Sequence, residues 1–558
     1  MPRRPLASVL SASTTDFPAA PARAPASGAA VRPADSSRFS ARHFYIGLAV
    51  VAVAIGAVSL LIPSTPSYDP WAWIVWGREI VHFKLHTTGG PSWKPLPMIF
   101  TTIFAVFGKA APNLWLVIAR AGAFAAVVMV ARISFRLTRR IGSYFTAPAA
   151  TPDRVAALAP ALLAGAIAAL SLPLLTPGFI SDNALGYSEG LATALMLIAM
   201  ERHLDGKPRQ AFAVGFFVAL DRPEIWLFWG PYGLWLFWRD PGARKLVIAL
   251  FALIPVFWFL PEYWGSGHFL RGVNRAQHPR SNSLAFASSP FRAELEDAAW
   301  PTMLLRTKIA AAVLVAVVAG ALGVRWRRHG RAALTTPQTR AMAAAALAGV
   351  AGLAWFVVIA TMTQIGFSGN NRYLVLGSAL VQICGAVAFG WAAQEVGNLM
   401  AAVVTGRRHQ GGASLTQACA LVGVALVGLV FVLVPGSVGG KLISIQRTHR
   451  SLVYQADLRT GVTRIVQDYG GPAKLLRCGS VMTEGFQVPM VAWTLGTHTA
   501  QIEGPAAAGT PPGPAPNVIL QTRDTRSATL LPQLSTWPSV RYHYVATSGP
   551  FHLFTHCQ

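Results

Sequence analysis

The chain has 558 residues, 53% of them hydrophobic and only 12% charged, with a mean hydropathy of +0.45. Soluble domains carry about 25% charged residues, so half that fraction over this length excludes an ordinary soluble protein and calls for repeated membrane spans. The net charge of +25 does not signal nucleic acid, because the basic residues sit in short clusters between apolar runs and form no continuous basic face.

The first 43 residues are Ala/Pro/Ser-rich with six arginines, which predicts a disordered cytoplasmic arm. "FYIGLAVVAVAIGAVSLLI" follows; it is long enough to span and has no small-residue cleavage site, so it reads as a retained span. Apolar stretches recur near 113–135, 154–175, 188–201, 209–221, 224–238, 245–261, 304–324, 341–363, 372–394 and 415–435. Basic clusters fall at every second connection: the N-terminal arm, "RLTRR" (136–140), "ERHLDGKPR" (201–209), "RDPGARK" (239–245), "RWRRHGR" (325–331) and "GRR" (406–408). The positive-inside rule makes these cytoplasmic. The predicted fold is a polytopic α-helical membrane protein of about 11 transmembrane helices over 44–435, N-terminus inside, followed by a small exterior α/β domain at 436–558.

The first exterior loop, 64–112, opens with "PSYDPWAWIVWGREIVHFKLHTTGGPSWKP". Asp69 before Pro70 predicts an N-cap, and the tryptophans predict an interfacial helix with indoles at headgroup depth. "PLPMIFTTIFAVFG" is too short to span and reads as a second interfacial or re-entrant helix. The segments flanking "DRPE" (221–224) are also short, which places that turn inside the membrane profile, lining a wet cavity.

In the tail, "HRSLVYQADLRTGVTRIVQDYGG" puts Leu452, Leu458, Val462 and Ile465 on one helical face, stopped by Gly470 and Gly471. "AKLLRCGSV", "NVILQT", "RYHYVAT" and "FHLFTHC" read as strands, and "PAAAGTPPGPAPN" as a flexible loop. Cys384 and Cys419 fall in spans as core residues. Cys478 and Cys557 share the exterior domain, where an oxidising compartment favours their pairing.

The chemistry-bearing residues all fall on the exterior side. Asp69 either simply caps its helix or, in a functional reading compatible with capping, is held where a lipid-borne substrate would meet water. Asp221, Arg222 and Glu224 lie in the "DRPEIW" turn, where charge is costly unless paired or functional; Arg222 and Glu224 form either a structural ion pair or, through Arg222, a phosphate site. "GNNRYL" supplies Arg372 and Tyr373, "PSWKP" supplies Lys94, and Glu79, His82 and His86 lie nearby. "SDNALGYSEG" adds Asp182 and Glu189. No Walker loop, G-x-S-x-G or metal-ligand cluster appears; no cofactor is called for, and assistance by a divalent ion stays open.

A first span followed by a large exterior loop with an acid near its start resembles the GT-C superfamily of integral-membrane glycosyltransferases. "SYDPWAWIVWGREI", "GGPSWKPLP", "LDRPEIW" and "SGNNRYL" resemble an actinobacterial branch of it over about residues 44–435. The resemblance implies a polyprenyl-phosphate-linked sugar donor, an envelope glycan, lipid or protein acceptor, and a location in the cell membrane. It implies Asp69 as the base, with Arg222, Arg372 and Lys94 on the donor phosphate and Glu79, His82, Asp182, Glu224 and Tyr373 in support. Many relatives carry two adjacent acids at the loop start, whereas Pro70 follows Asp69 here; the second acid is then Glu79, Asp182 or none. A lipid or glycan transporter and a non-catalytic envelope-assembly protein stand as alternatives.

Overall fold

The structure is a computed structural model describing residues 36–142, 154–280, 283–299, 305–330, 335–407, 413–433, 445–506 and 510–557. The predicted disordered arm lies outside the described residues up to residue 35; from there the chain is already in the helix Ser36–Val58. Among the described residues seven helices are long and apolar enough to cross a membrane: Ala41–Leu61, Gly108–Ile141, Pro241–Ser266, Thr307–Arg328, Pro337–Gln364, Asn371–Val404 and Leu415–Val432.

Helices also stand at the other four predicted spans. Of the helix Arg154–Leu175, the stretch Leu158–Leu174 is apolar. Glu189–Leu204, Pro208–Ala219 and Trp226–Arg239 have 16, 12 and 14 residues. At 1.5 Å per residue each of these is shorter than a hydrocarbon core of about 30 Å. The last two form a hairpin around the tight turn Pro223–Ile225, so that turn stops short of a full crossing. Glu189–Leu204 carries buried carboxylates at both ends. At one end Glu201 accepts from Arg132 (2.8 Å) and from Arg136, while Asp205 binds Arg136 and Arg202, each at 2.5 Å. At the other end Glu189 is buried against Lys94, Arg222 and Arg372.

The tryptophan-rich segment departs from expectation. The helix Tyr68–Val81 does not lay its indoles among lipid headgroups: Trp71, Trp73 and Trp76 are at most 2% exposed. The helix is covered on one side by Pro95–Ala105 and Ala111–Ile141 and on the other by Val488–Leu495 of the C-terminal region. Trp71 meets Trp493, Trp73 meets Trp115 edge-on, and Trp76 meets Trp93. Each indole also faces a cation: Arg459 at 5.3 Å from Trp71, Lys94 at 5.4 Å from Trp73 and Arg271 at 5.8 Å from Trp76. Indoles fit this position because they fill a large volume while their faces attract cations. Arg78 donates to the carbonyls of Trp493 (3.4 Å) and Thr497 (2.6 Å), satisfying the exposed end of the facing helix.

The C-terminal region is α/β, as its pattern predicts. In the helix Ile445–Asp468, Leu452, Leu458, Val462 and Ile465 are buried. Gly470 and Gly471 end it at φ of 108° and 90°, a region only glycine enters freely. The strands are β1 (Val481–Thr483), β2 (Ile502–Glu503), β3 (Val518–Gln521), β4 (His543–Ser548) and β5 (Phe551–Thr555), ordered β2-β1-β3-β5-β4. β1 runs parallel to β2 and β3, and β5 antiparallel to β3 and β4. "AKLLR", expected as strand, belongs to the helix Pro472–Arg477, which starts on Pro472 after the Gly471 turn. Cys478 and Cys557 form a disulfide, with Cα atoms 4.9 Å apart, and Cys384 and Cys419 are free and buried.

One acid of this region gives a pH signature. Glu484 is 4% exposed and accepts from the Phe486 N–H at 2.8 Å; burial pushes its carboxyl up from 4.5 to about 7. The folded state then holds a proton that the unfolded chain releases above 4.5, so this contribution to stability is complete below that value and is lost as pH rises through about 7. Glu484→Gln is expected to flatten the fall in thermal midpoint between those values, by up to about 3 kcal/mol. The check is a comparison of melting curves with wild type over that window; an unchanged slope would remove Glu484 as its source.

Candidate active site

Asp69 lies in the first turn of Tyr68–Val81 but is not its cap. The N-cap is Ser67, with no side-chain capping bond, and its hydroxyl meets the Tyr187 hydroxyl at 3.2 Å. Freed from capping, the Asp69 carboxylate reaches across the fold and accepts from Arg372 Nη2 at 2.8 Å. Arg372 sits in the turn Asn371–Leu374, which opens the long helix Val375–Arg407. Its guanidinium lies 4.0 Å from the centre of the Tyr187 ring and 5.4 Å from that of Tyr373. Arg222 covers Tyr373 at 4.2 Å, so the two arginines share one phenol ring.

At the centre is Glu189, 1% exposed. Its Oε1 lies 3.4 Å from Lys94 Nζ, 3.5 Å from Arg222 Nη2 and 3.7 Å from Arg372 Nε. Good charge-assisted N–H···O bonds are about 2.7–2.9 Å long, so one carboxylate holds three cations without saturating any of them. Arg222 Nε and Nη2 and Arg372 Nε are buried with no hydrogen-bond partner among the described residues. Unmatched donors of this kind are costly unless a ligand completes them. Glu224 lies 3.9 Å from Arg222 Nη1, and Lys94 also reaches Ser188 at 3.4 Å.

Asp69, Lys94, Asp182, Arg222, Glu224, Arg372 and Tyr373 line one cavity of about 650 Å³. Asp182 stands on the short helix Phe179–Ala184, and burial raises its carboxyl to about 7 against the lowering pull of Arg372. It seats over Gly178, where a Cβ would come within 2.5 Å of its Oδ2 and where φ is 75°. A smaller apolar cavity of about 400 Å³ lies between Pro255, Val256, Leu260 and Leu270, and it shares Phe259 and Phe269 with the large one. The polar cradle thus shares two aromatic side chains with an apolar groove.

Two expected members are elsewhere. Glu79 is buried against the C-terminal region: its Oε1 lies 2.9 Å from His498 Nδ1, and its Oε2 accepts from the His86 N–H at 2.9 Å. It sits ten residues along the helix from Asp69, beside the strand-and-helix domain and not the cavity. His82 is exposed at the end of the same helix, its ring on the Arg78 carbonyl. Conversely, Glu262 and Tyr187 line the cavity without having been singled out. Glu262 is an acid in the candidate span Pro241–Ser266, whose other charges, Arg244 and Lys245, stand at its start, and such an intramembrane charge is itself the signal. Among the described residues no group of three His, Cys, Asp or Glu side chains is arranged to hold a metal ion.

No family model matches the chain, and no curated protein matches it. Among solved structures the chain is similar to ArnT from Cupriavidus metallidurans, in the form bound to undecaprenyl phosphate and in the apo state. Each likeness covers 92% of this chain and 98% of that one, at 13% identity and a TM-score of 0.45.

Proposed function

We propose that the protein is a membrane glycosyltransferase that moves a sugar from a polyprenyl-phosphate donor to an envelope glycan, lipid or protein acceptor on the exterior side. One observation carries the reading: three cations, two with buried open donors, converge beside an ion-paired carboxylate in a cavity that shares two aromatic side chains with an apolar groove. A phosphate monoester or diester on an apolar chain matches both halves. The guanidinium forks suit phosphate oxygens, and Phe259 and Phe269 begin a wall for the chain.

The chemistry follows from the placement. Asp69 takes the proton of an acceptor hydroxyl as that oxygen attacks the anomeric carbon. The C–O bond to phosphate breaks, and the polyprenyl phosphate leaves with the electron pair. Its charge is met by Arg222, Arg372 and Lys94, which are already in place and need no reorganisation. Phosphate leaves readily, so no strong general acid is required. In-line attack inverts the anomeric centre, the behaviour of an inverting hexosyl- or pentosyltransferase. Arg372 touches both Asp69 and the Glu189 cluster, so it couples the base to the leaving group.

Undecaprenyl phosphate is a suitable probe of the cradle. The full-length protein in detergent is expected to bind it, and Arg222→Ala or Arg372→Ala to weaken binding by about 10–100-fold, the worth of one charge-assisted hydrogen bond. Radiolabelled polyprenyl-phosphate sugars then test transfer directly. Binding indifferent to both arginines would overturn the reading.

A further inference from the structure

We propose that Tyr68, Arg280 and Phe486 form a subsite for a saccharide ring of the acceptor, one that presents a pair of neighbouring oxygens, so that the C-terminal region takes part in choosing the substrate. The inference rests on the glycosyl-transfer reading and assigns the side of the cavity that the phosphate cradle leaves unused.

The three side chains line the same cavity as Asp69. Tyr68 immediately precedes Asp69, and its ring meets Phe486 edge-to-face at 6.0 Å and 85°. The Arg280 guanidinium lies 3.4 Å from the centre of the Phe486 ring and 5.9 Å from that of Tyr68. Among the described residues that guanidinium has no side-chain hydrogen bond and no carboxylate within ion-pair distance. Glu484 and Asp524 act on its charge from beyond ion-pair distance, so an arginine held flat on an aromatic ring keeps a rigid donor edge, and a rigid fork binds two adjacent oxygens: a vicinal diol or a carboxylate.

The wall is built in advance. Arg271 donates to the carbonyls of Pro91 (2.5 Å) and Gly90 (3.0 Å), and Arg275 to those of Gly90 (3.2 Å) and His278 (2.7 Å). The bonds to Pro91 and Gly90 tie the segment carrying Arg280 to the first loop. On the other side Glu484 accepts from the Phe486 N–H and fixes that ring. Between them is Gly485, where a Cβ would stand 3.2 Å from Arg280 Nη2, so a side chain there would make the guanidinium give by a few tenths of an ångström.

Direction distinguishes acceptor from donor. The phosphate end belongs to Lys94, Arg222 and Arg372, and the donor's chain leaves past Phe259 and Phe269. Asp69 is joined to Arg372 on one side and to Tyr68 through the backbone on the other. The hydroxyl that Asp69 deprotonates is the acceptor's, so the ring beside Asp69 on the Tyr68 side is the acceptor's as well. The shared chemistry, two adjacent oxygens, comes from a neutral sugar diol or from an acidic sugar's carboxylate.

Saturation-transfer NMR on the full-length protein in detergent tests this with methyl α-D-glucopyranoside, methyl α-D-mannopyranoside and methyl β-D-glucuronide as probes, and undecaprenyl phosphate binding is measured in parallel. Saturation of ring protons is expected for at least one glycoside, with the glucuronide separating carboxylate from diol recognition. Arg280→Ala, Arg280→Lys and Phe486→Ala are expected to reduce it about tenfold, while Phe486→Leu, which keeps apolar bulk without the flat face, also loses it. Undecaprenyl phosphate affinity should stay within about twofold in each variant, since additivity holds for separated sites; this also shows that the variants are folded. No saturation of any glycoside by wild type, or equal saturation in the Arg280 and Phe486 variants, overturns the subsite. Glycoside binding without any undecaprenyl phosphate binding would instead overturn the glycosyl-transfer reading and leave the subsite standing.

Discussion

Asp69→Asn is expected to lower sugar transfer by about 10²–10⁴-fold, the range that a positioned general base contributes, while undecaprenyl phosphate still binds. The substitution is nearly isosteric, and the amide oxygen can still accept from Arg372, which now stands 2.8 Å from the carboxylate. What it loses is the capacity to take a proton. The loss should therefore appear in kcat with KM for the donor little changed. Glu79→Gln is the control, because Glu79 turns to His498 and away from the cavity; transfer by that variant should stay near wild type. Steady-state transfer assays with both variants decide the matter. If Asp69→Asn lost donor binding in proportion to activity, Asp69 would be a structural partner of Arg372 and not the base. Activity intact in Asp69→Asn would remove the mechanism altogether.

How much of this was legible in the sequence depends on how local each signal is. The gathering of Asp69, Lys94, Arg222 and Arg372 could be anticipated because charges beside apolar runs are rare, and alternation of basic clusters sorts the connections into two sets. Helix Ile445–Asp468 and its glycine stop could be read because a 3.6-residue period and a φ-positive glycine are properties of a few adjacent residues. The fate of the tryptophans was not. A run such as Trp-Ala-Trp-Ile-Val-Trp reads the same whether lipid or protein covers it, and on one side the cover comes from Trp493 and its helix, more than 400 residues further along. Glu79 was misplaced for the same reason: its partner His498 is equally remote. The capping role assigned to Asp69 failed because a partner 303 residues away outweighs a local backbone bond. Glu189 was visible as an acid on the right side, but its central position depends on three cations from three separate segments.

Glu189 carries the second large effect. Removing one partner from a buried ionic cluster leaves uncompensated charge and typically costs about 3–5 kcal/mol. Here Glu189→Ala strips the shared counter-charge from Lys94, Arg222 and Arg372 together, so a loss of stability of that order is expected in the empty protein. Glu189→Gln keeps the volume and an accepting oxygen but not the charge, and should lose somewhat less. The more telling consequence concerns the ligand. In wild type an incoming phosphate competes with Glu189 for cations held at 3.4–3.7 Å; in Glu189→Gln it meets cations that nothing else neutralises. Ligand binding stabilises the folded state in proportion to its affinity for that state. Undecaprenyl phosphate should therefore raise the melting temperature of Glu189→Gln by more than that of wild type, although the variant starts lower. The two melting curves, each with and without lipid, give the answer. A shift equal to or smaller than that of wild type would mean that Glu189 orients the cations for the phosphate instead of standing in for it, and turnover would then fall together with affinity.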